Sequence, residues 1–315
     1  VENVQANTQQ RLLGSLMVLL AAVGFSAKAV LVKLAYGYSA GLDAITLMTL
    51  RMLFALPFFL VVAIWLQRQS HIPAPTRREL GLIAMLGILG FYLASLLDFS
   101  GLAYIPAGLE RLILFLYPTL VVLFSALFYR RSITLRERGA LVLSYLGIVV
   151  VFLQPLTVVP VRLWLGVALV FGSAVVFALY LMLSGARLRR SGSIAYTAYA
   201  MTAASLAAGV HFGVSHPLSA LDLPLQVYGL ALLMALLSTV LPAFLMHAGI
   251  HRIGAGPASI MGSTGPVATL FLAWWLLGEP LTLVQMAGTT MILAGVVLVS
   301  RSGVSTEKPE RVATP

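Results

Sequence analysis

Apolar residues fall in runs of about 20, separated by short polar turns. Ten such runs can be drawn, at roughly residues 12–35, 43–66, 79–101, 106–129, 136–153, 161–186, 193–213, 225–250, 256–277 and 281–300. The runs are continuously apolar, not alternating, and are about twice as long as barrel strands. They therefore predict helices long enough to cross a bilayer. The connections are short, so neighbours in sequence are expected to be antiparallel neighbours in space. The expected fold is all-α, a polytopic membrane protein of ten transmembrane helices.

The pattern is written twice. Residues 101–152 align without a gap on 249–300, at an offset of 148. Gly101 falls on Gly249, Ile105 on Ile253, Gly108 on Gly256, Pro118 on Pro266, Thr134 on Thr282 and Gly147 on Gly295. The first run repeats at an offset of 152, with Gly14, Val18, Ala22 and Phe25 on Gly166, Val170, Ala174 and Phe177. Five runs per copy is an odd number, so a second copy must enter the membrane from the opposite side. The expected domains are a five-helix repeat over 1–154, a second, inverted one over 155–301, and a disordered cytoplasmic tail over 302–315. Inverted halves can exchange conformations and open a central site alternately to each side.

Composition supports the membrane reading and narrows the chemistry. Apolar residues make up 60% of the chain and charged residues 10%, outside the globular range. There is no cysteine, which excludes disulfides, thiolate catalysis and Cys-ligated metal. A net charge of +10 would suggest nucleic acid in a soluble protein, but here the positions of the charges decide. Arg11, Arg68, Arg77, Arg78, Arg130, Arg131, Arg136, Arg138, Arg187, Arg189, Arg190, Arg252 and Arg301 all fall at one set of ends. The opposite ends hold only Lys33 and Arg162, with Asp43, Asp222 and Glu279. The positive-inside rule then places both termini in the cytoplasm. Residues 1–10 are polar and lack the pattern of a cleaved signal peptide.

One stretch carries a resemblance. Trp274-Trp275-Leu276-Leu277-Gly278-Glu279-Pro280-Leu281-Thr282, followed by Gln285, Gly288 and Ile292-Leu293-Ala294-Gly295-Val296, resembles the end of the second EamA repeat of the drug/metabolite transporter superfamily. Pro118, Pro266 and the two Gly-Ala entries sit where that repeat has them. Within the superfamily the chain most resembles the YddG-type exporters of aromatic amino acids. The resemblance implies export of drugs or metabolites by a carrier of the bacterial inner membrane. The first copy departs from the pattern, with Arg130-Arg131-Ser132 where the family usually has a Glu before the turn.

Charges inside the runs are the sharpest candidates, because such residues are costly in a bilayer and usually face a cavity. Lys28, Arg51, Asp98, Glu110 and Arg111 fall at one depth in the half of the membrane assigned to the outside. Lys28, Arg51 and Glu110 are expected to line a substrate cavity. Asp98 and Arg111 are expected to form a structural charge pair. The plainer reading of all five is a network that fixes helix packing. Tyr92, Tyr117 and Tyr180 are mid-run and close to Gly or Pro, and are candidates to stack on a flat substrate. The remaining aromatics read as lipid-facing or interfacial. Gly262-Ser263-Thr264-Gly265-Pro266 is the most helix-broken segment, so Ser263 and Thr264 join the cavity candidates. Pro118 and Pro266 are the candidate hinges. His247 reads as interfacial beside His251 and Arg252.

No acid–base–nucleophile set, metal constellation or phosphate loop is visible, so neither an enzyme nor an ATP-driven pump is expected. No cofactor is expected. The expected partners are a small-molecule substrate and the lipid bilayer, with no nucleic acid and no required oligomer. The expected function is a secondary transporter exporting small metabolites, with amino acids, aromatic ones first, as substrates, by alternating access. The alternatives are a channel-like facilitator and an exporter of cationic drugs or other metabolites.

Overall fold

The computed structural model describes residues 2–68, 75–130, 132–152 and 160–301. All regular structure among them is helical: α1 (Glu2–Tyr38), α2 (Ala44–Arg68), α3 (Arg77–Gly87), α4 (Ala94–Leu102), α5 (Ala107–Leu114), α6 (Tyr117–Tyr129) and α7 (Leu135–Phe152), then α8 (Pro160–Ser191), α9 (Ser193–Ser215), α10 (Leu225–Ala235), α11 (Leu241–Ile253), α12 (Ala255–Gly262), α13 (Gly265–Leu277) and α14 (Leu283–Arg301). A short 3₁₀ turn, Leu218–Leu221, precedes α10. The tail expected over 302–315 lies outside the described residues.

Among the described residues, six helical segments are long and apolar enough to cross a membrane: Gln9–Tyr38, Ala44–Arg68, Arg77–Leu102, Ala107–Tyr129, Arg162–Ser184 and Leu225–Ile253. Gly265–Leu277 and Leu283–Leu298 are shorter apolar helices. Large apolar side chains point outward along them, including Val61, Trp65, Phe271 and Leu283. The buried seams hold many alanines instead, among them Ala29, Ala35, Ala55, Ala174, Ala200 and Ala208. Lipid supplies no hydrophobic force between helices, so small residues that let backbones approach provide the packing.

Two of the long segments widen into π-helical turns, Ile88–Leu93 between α3 and α4 and Leu236–Val240 between α10 and α11. The second has a local cause. Pro242 has no N–H, and its ring crowds the carbonyl one turn earlier. Its ring and the carbonyl of Leu237 lie against Gly24, where a Cβ would come within 2.6 Å of the oxygen. Around the first π turn, Gly87 abuts the backbone of Ala200, and Gly90 lies beneath the ring of Tyr180.

Helix starts follow the sequence. Thr76 and Glu79 form a capping box at α3. At α7 the Thr134 N–H donates to Glu137 (2.9 Å), and the Glu137 N–H donates back to the Thr134 hydroxyl (3.3 Å). The repeat places Thr282 and Gln285 at the same positions of α14, where the Gln285 N–H donates to Thr282 (3.2 Å).

The offset of the sequence repeat returns in the packing. A Cβ on Gly101 would meet Val170 and the Gly166 carbonyl; a Cβ on Gly249 would meet Val18 and the Gly14 carbonyl. Likewise Gly147 packs on the Gly288 carbonyl and Gly295 on that of Ala140, so α7 and α14 cross on a patch of small residues.

Candidate functional site

The two helix breaks sit at equivalent places. α5 ends at Leu114 and α6 begins at Tyr117; α12 ends at Gly262 and α13 begins at Gly265. Pro118 and Pro266 cause both breaks. Each would have to donate to the carbonyl four residues back, that of Leu114 or Gly262, and cannot. Each therefore opens a new helix, where a missing N–H is tolerated. The prolines do not kink continuous helices, as a reading of 106–129 and 256–277 as single runs implies. The turns match in detail: Leu116 N–H donates to Ile113 and Thr264 N–H to Met261, both at 3.1 Å.

On one side of the breaks lies a charged network. Lys28 on α1 makes an ion pair with Asp98 on α4 and lies 3.5 Å from Glu110 Oε1 on α5. Asp98 and Glu110 are fully enclosed, while the Lys28 side chain keeps 15% of its exposure. The direct partner of Asp98 is thus Lys28. Arg111, the partner expected for it, points elsewhere: its Nε donates to Thr269 Oγ1 (3.0 Å) and its Nη2 to the Phe25 carbonyl (2.6 Å). Glu110 and Arg111 are adjacent on α5 and so project about 100° apart, Glu110 to Lys28 and Arg111 to α13. Thr269 donates on to the Ser26 carbonyl (3.1 Å), and the Ser26 hydroxyl lies 2.8 Å from the Gly265 carbonyl at the second break.

Arg51 on α2 is also buried. Its Nη2 donates to Ser95 (3.0 Å), and its guanidinium stands 4.9 Å from the centre of the Phe99 ring. One layer outward, Lys33 donates to the Leu102 carbonyl (3.1 Å) and Tyr36 to the Phe99 carbonyl (2.8 Å). Glu279, in the turn after α13, then seats its carboxylate on the first amides of α5. Ala107 N–H donates to Oε1 (2.8 Å) and Gly108 N–H to Oε2 (3.0 Å). A carboxylate at a helix N-terminus satisfies free donors and meets the positive end of the dipole.

On the other side of the breaks the residues are aromatic. Tyr117 packs edge-on to Phe115 (5.9 Å between ring centres) and to Phe177 (5.2 Å). Phe177 stacks on Tyr180 (5.8 Å), and Tyr180 contacts Phe91 (5.0 Å) and Tyr196 (6.4 Å). Phe115 lies against Gly265, so the ladder of rings and the polar network meet at the second break. The repeat explains the division. Phe177 and Tyr180 occupy the positions of Phe25 and Lys28, and Met246, Ala258 and Val121 those of Asp98, Glu110 and Thr269.

The structure therefore brings Lys28, Glu110, Asp98 and Arg111 together on one side and Tyr117 with Tyr180 on the other, and places Arg51 against α4 beside Ser95. Tyr92 stands apart, its hydroxyl 2.6 Å from His211 Nδ1. Ser263 is buried, and Thr264 is exposed with its hydroxyl donated to the Met261 carbonyl (2.8 Å). His247 Nδ1 lies 2.6 Å from the Ala243 carbonyl of its own helix. Thr269, Ser26 and Glu279 are the site residues that the sequence reading did not select. Glu279 was legible as an acid in a turn, but its seat on α5 is a tertiary fact.

Comparison with known proteins agrees with the fold. The chain is 31% identical over 290 residues to the uncharacterized transporter YcbK of Bacillus subtilis (strain 168), covering 90% of this chain and 91% of that protein. It is 25% identical over 315 residues to the uncharacterized transporter sll1319 of Synechocystis sp., covering 93% and 95%. A solved crystal structure superposes with a TM-score of 0.62 at 16% identity, over 90% of this chain and 95% of that one, which speaks for the fold alone. The EamA-like transporter family matches twice, over residues 12–153 and over 164–301. A multi-pass helical bundle with one family match in each half of the sequence belongs to the EamA-like transporters, and this chain is a member of that family.

Proposed function

We propose that this protein is a secondary transporter of the bacterial inner membrane that exports amino acids, aromatic ones first, by alternating access. The observation that carries the substrate reading is the division of the site. Charged groups of both signs lie on one side of the paired helix breaks and a ladder of rings on the other, meeting at Phe115 and Gly265. A zwitterion with an aromatic side chain has the same division. Its ammonium and carboxylate suit Lys28, Glu110, Arg111 and Arg51, and its ring suits Tyr117 and Tyr180. A purely cationic drug would bring no anion to Arg51 and Arg111, whose present partners are all neutral.

The architecture we infer is ten spans in two inverted five-helix repeats, with both termini in the cytoplasm. It is supported by the equal offsets of the breaks, of the glycine contacts and of the family matches. Purified protein in liposomes, offered a panel of labelled amino acids, tests the function. Saturable uptake and exchange of phenylalanine, tyrosine or tryptophan is expected. Transport of quaternary ammonium dyes with none of any amino acid would replace the reading by drug export.

Pro118 and Pro266 are the flex points in this scheme. Pro118→Ala and Pro266→Ala each restore a donor and favour a continuous helix. Each is expected to slow turnover with little change in the half-saturating substrate concentration. Initial rates in the same liposomes measure this, and unchanged rates in both variants would remove the hinge role.

A further inference from the structure

We propose that Asp98 and Glu110 form a proton-binding site: the two carboxyl groups share one proton, and the ammonium group of the substrate displaces it. The proposal rests on the amino-acid reading for the displacing group only.

The geometry leads there by chemistry. Asp98 and Glu110 converge on one ammonium: Lys28 Nζ pairs with Asp98 Oδ2 and lies 3.5 Å from Glu110 Oε1. Two ionised carboxylates gathered on one cation repel each other and can only accept, so a single bound proton both relieves the repulsion and supplies a donor. Among the described residues, neither Asp98 Oδ1 nor either oxygen of Glu110 receives a hydrogen bond from another group. Buried ionised carboxylates normally collect several donors, since an uncompensated charge out of water is strongly unfavourable. One shared proton satisfies both groups at once.

Charge balance within the ion-paired triad agrees. Among the described residues, the one cation within ion-pair distance of the two carboxyls is Lys28, on α1. With both acids ionised this triad carries a net negative charge; with one proton it is neutral. The other groups facing it are Arg111 on α5, Arg51 on α2 and Tyr36 on α1. Both arginines keep their charge and act on the carboxyls at longer range, but their hydrogen bonds go to neutral groups, Thr269 and the Phe25 carbonyl for Arg111 and Ser95 for Arg51, so among the described residues neither forms an ion pair with the carboxyls. Among the described residues, α13 contributes the Thr269 hydroxyl and the Gly265 carbonyl, both neutral.

Proton and ammonium then compete for one place. When the ammonium arrives, the proton leaves, and the triad stays neutral with the new cation. When substrate is released outside, a proton from outside returns to the pair. Each exported molecule is matched by one proton carried inward, with no change in covalent bonding.

Infrared spectroscopy of the purified, substrate-free protein tests the site itself. A carbonyl stretch of an un-ionised carboxylic acid is expected at neutral pH, lost in both Glu110→Gln and Asp98→Asn. Proteoliposomes containing a pH dye test the coupling, with labelled L-phenylalanine as probe. In the wild type a pH gradient should drive uphill accumulation. Glu110→Gln should lose this accumulation, and whatever exchange of labelled for unlabelled phenylalanine it retains should no longer respond to the pH gradient. A protein whose carboxyls are all ionised at neutral pH, or a Glu110→Gln variant that still accumulates phenylalanine against its gradient, overturns the proposal. The infrared band without transport of any amino acid upholds the proton site and removes the substrate reading instead.

Discussion

Lys28→Met will abolish transport and lower the stability of the protein by about 3–5 kcal/mol, the usual cost of stripping one partner from a buried ion pair. Methionine keeps the length and apolar stem of lysine, so packing along α1 is preserved. What changes is electrostatic. Asp98 loses its direct partner, and Glu110 loses the ammonium 3.5 Å away. The remaining nearby cations, Arg51 and Arg111, are held by Ser95, Thr269 and the Phe25 carbonyl and cannot take over without breaking those bonds. The double variant Lys28→Met/Asp98→Asn removes both ends of the pair. It is expected to recover most of the lost stability and none of the transport. Denaturation in detergent micelles gives the stabilities, and a double-mutant cycle isolates the pair. A Lys28→Met cost of only about 1 kcal/mol, that of an exposed pair, would show that the site is wet and the network weak.

The legibility of this site in the sequence was uneven, for physical reasons. Helix ends governed by neighbours in sequence were readable. The box of Thr134 and Glu137, the start of α14 at Thr282, and the prolines that interrupt two runs all act within a turn or two. The repeat was readable because gapless offsets keep glycines in register, and those glycines are the crossing points of α1 with α11 and of α4 with α8.

Cross-helix choices were not readable. That Asp98 meets Lys28, with Arg111 turned to Thr269, depends on the rotation of four helices about their axes. The displacement of Tyr92 to His211 has a related source. Ile88–Leu93 winds as a π-helix, and an extra residue in the turn shifts the faces of all that follow. Without a proline, that turn has no local signature; its counterpart before Pro242 has one. The aromatic ladder was half visible. Tyr117 and Tyr180 stood out by their neighbours, but Phe115 and Phe177 join them only once α5, α6 and α8 are packed.

Glu279→Ala is expected to open the end of the bundle that the arginine pattern places outside. Its carboxylate holds the first two amides of α5 at 2.8 and 3.0 Å, and so ties the end of α13 to the start of α5. Loss of a capping carboxylate costs about 1–2 kcal/mol. In a carrier whose two gates are near balance, that shifts the open fraction by roughly 5–30-fold. The repeat makes the effect one-sided. The sequence position equivalent to Glu279 is Arg131, and a cation cannot serve as a carboxylate cap. In the proposed scheme such a clasp is therefore expected at the outer gate, and the empty carrier is expected to favour closure outside. Ala107 is fully buried beneath the clasp, and the chain has no cysteine of its own. Ala107→Cys should therefore resist a membrane-impermeant thiol reagent added outside, and Ala107→Cys/Glu279→Ala should react several times faster. Glu279→Gln, which keeps the acceptor and loses the charge, should fall between them. Equal labelling of all three would show that Glu279 caps a helix without holding a gate.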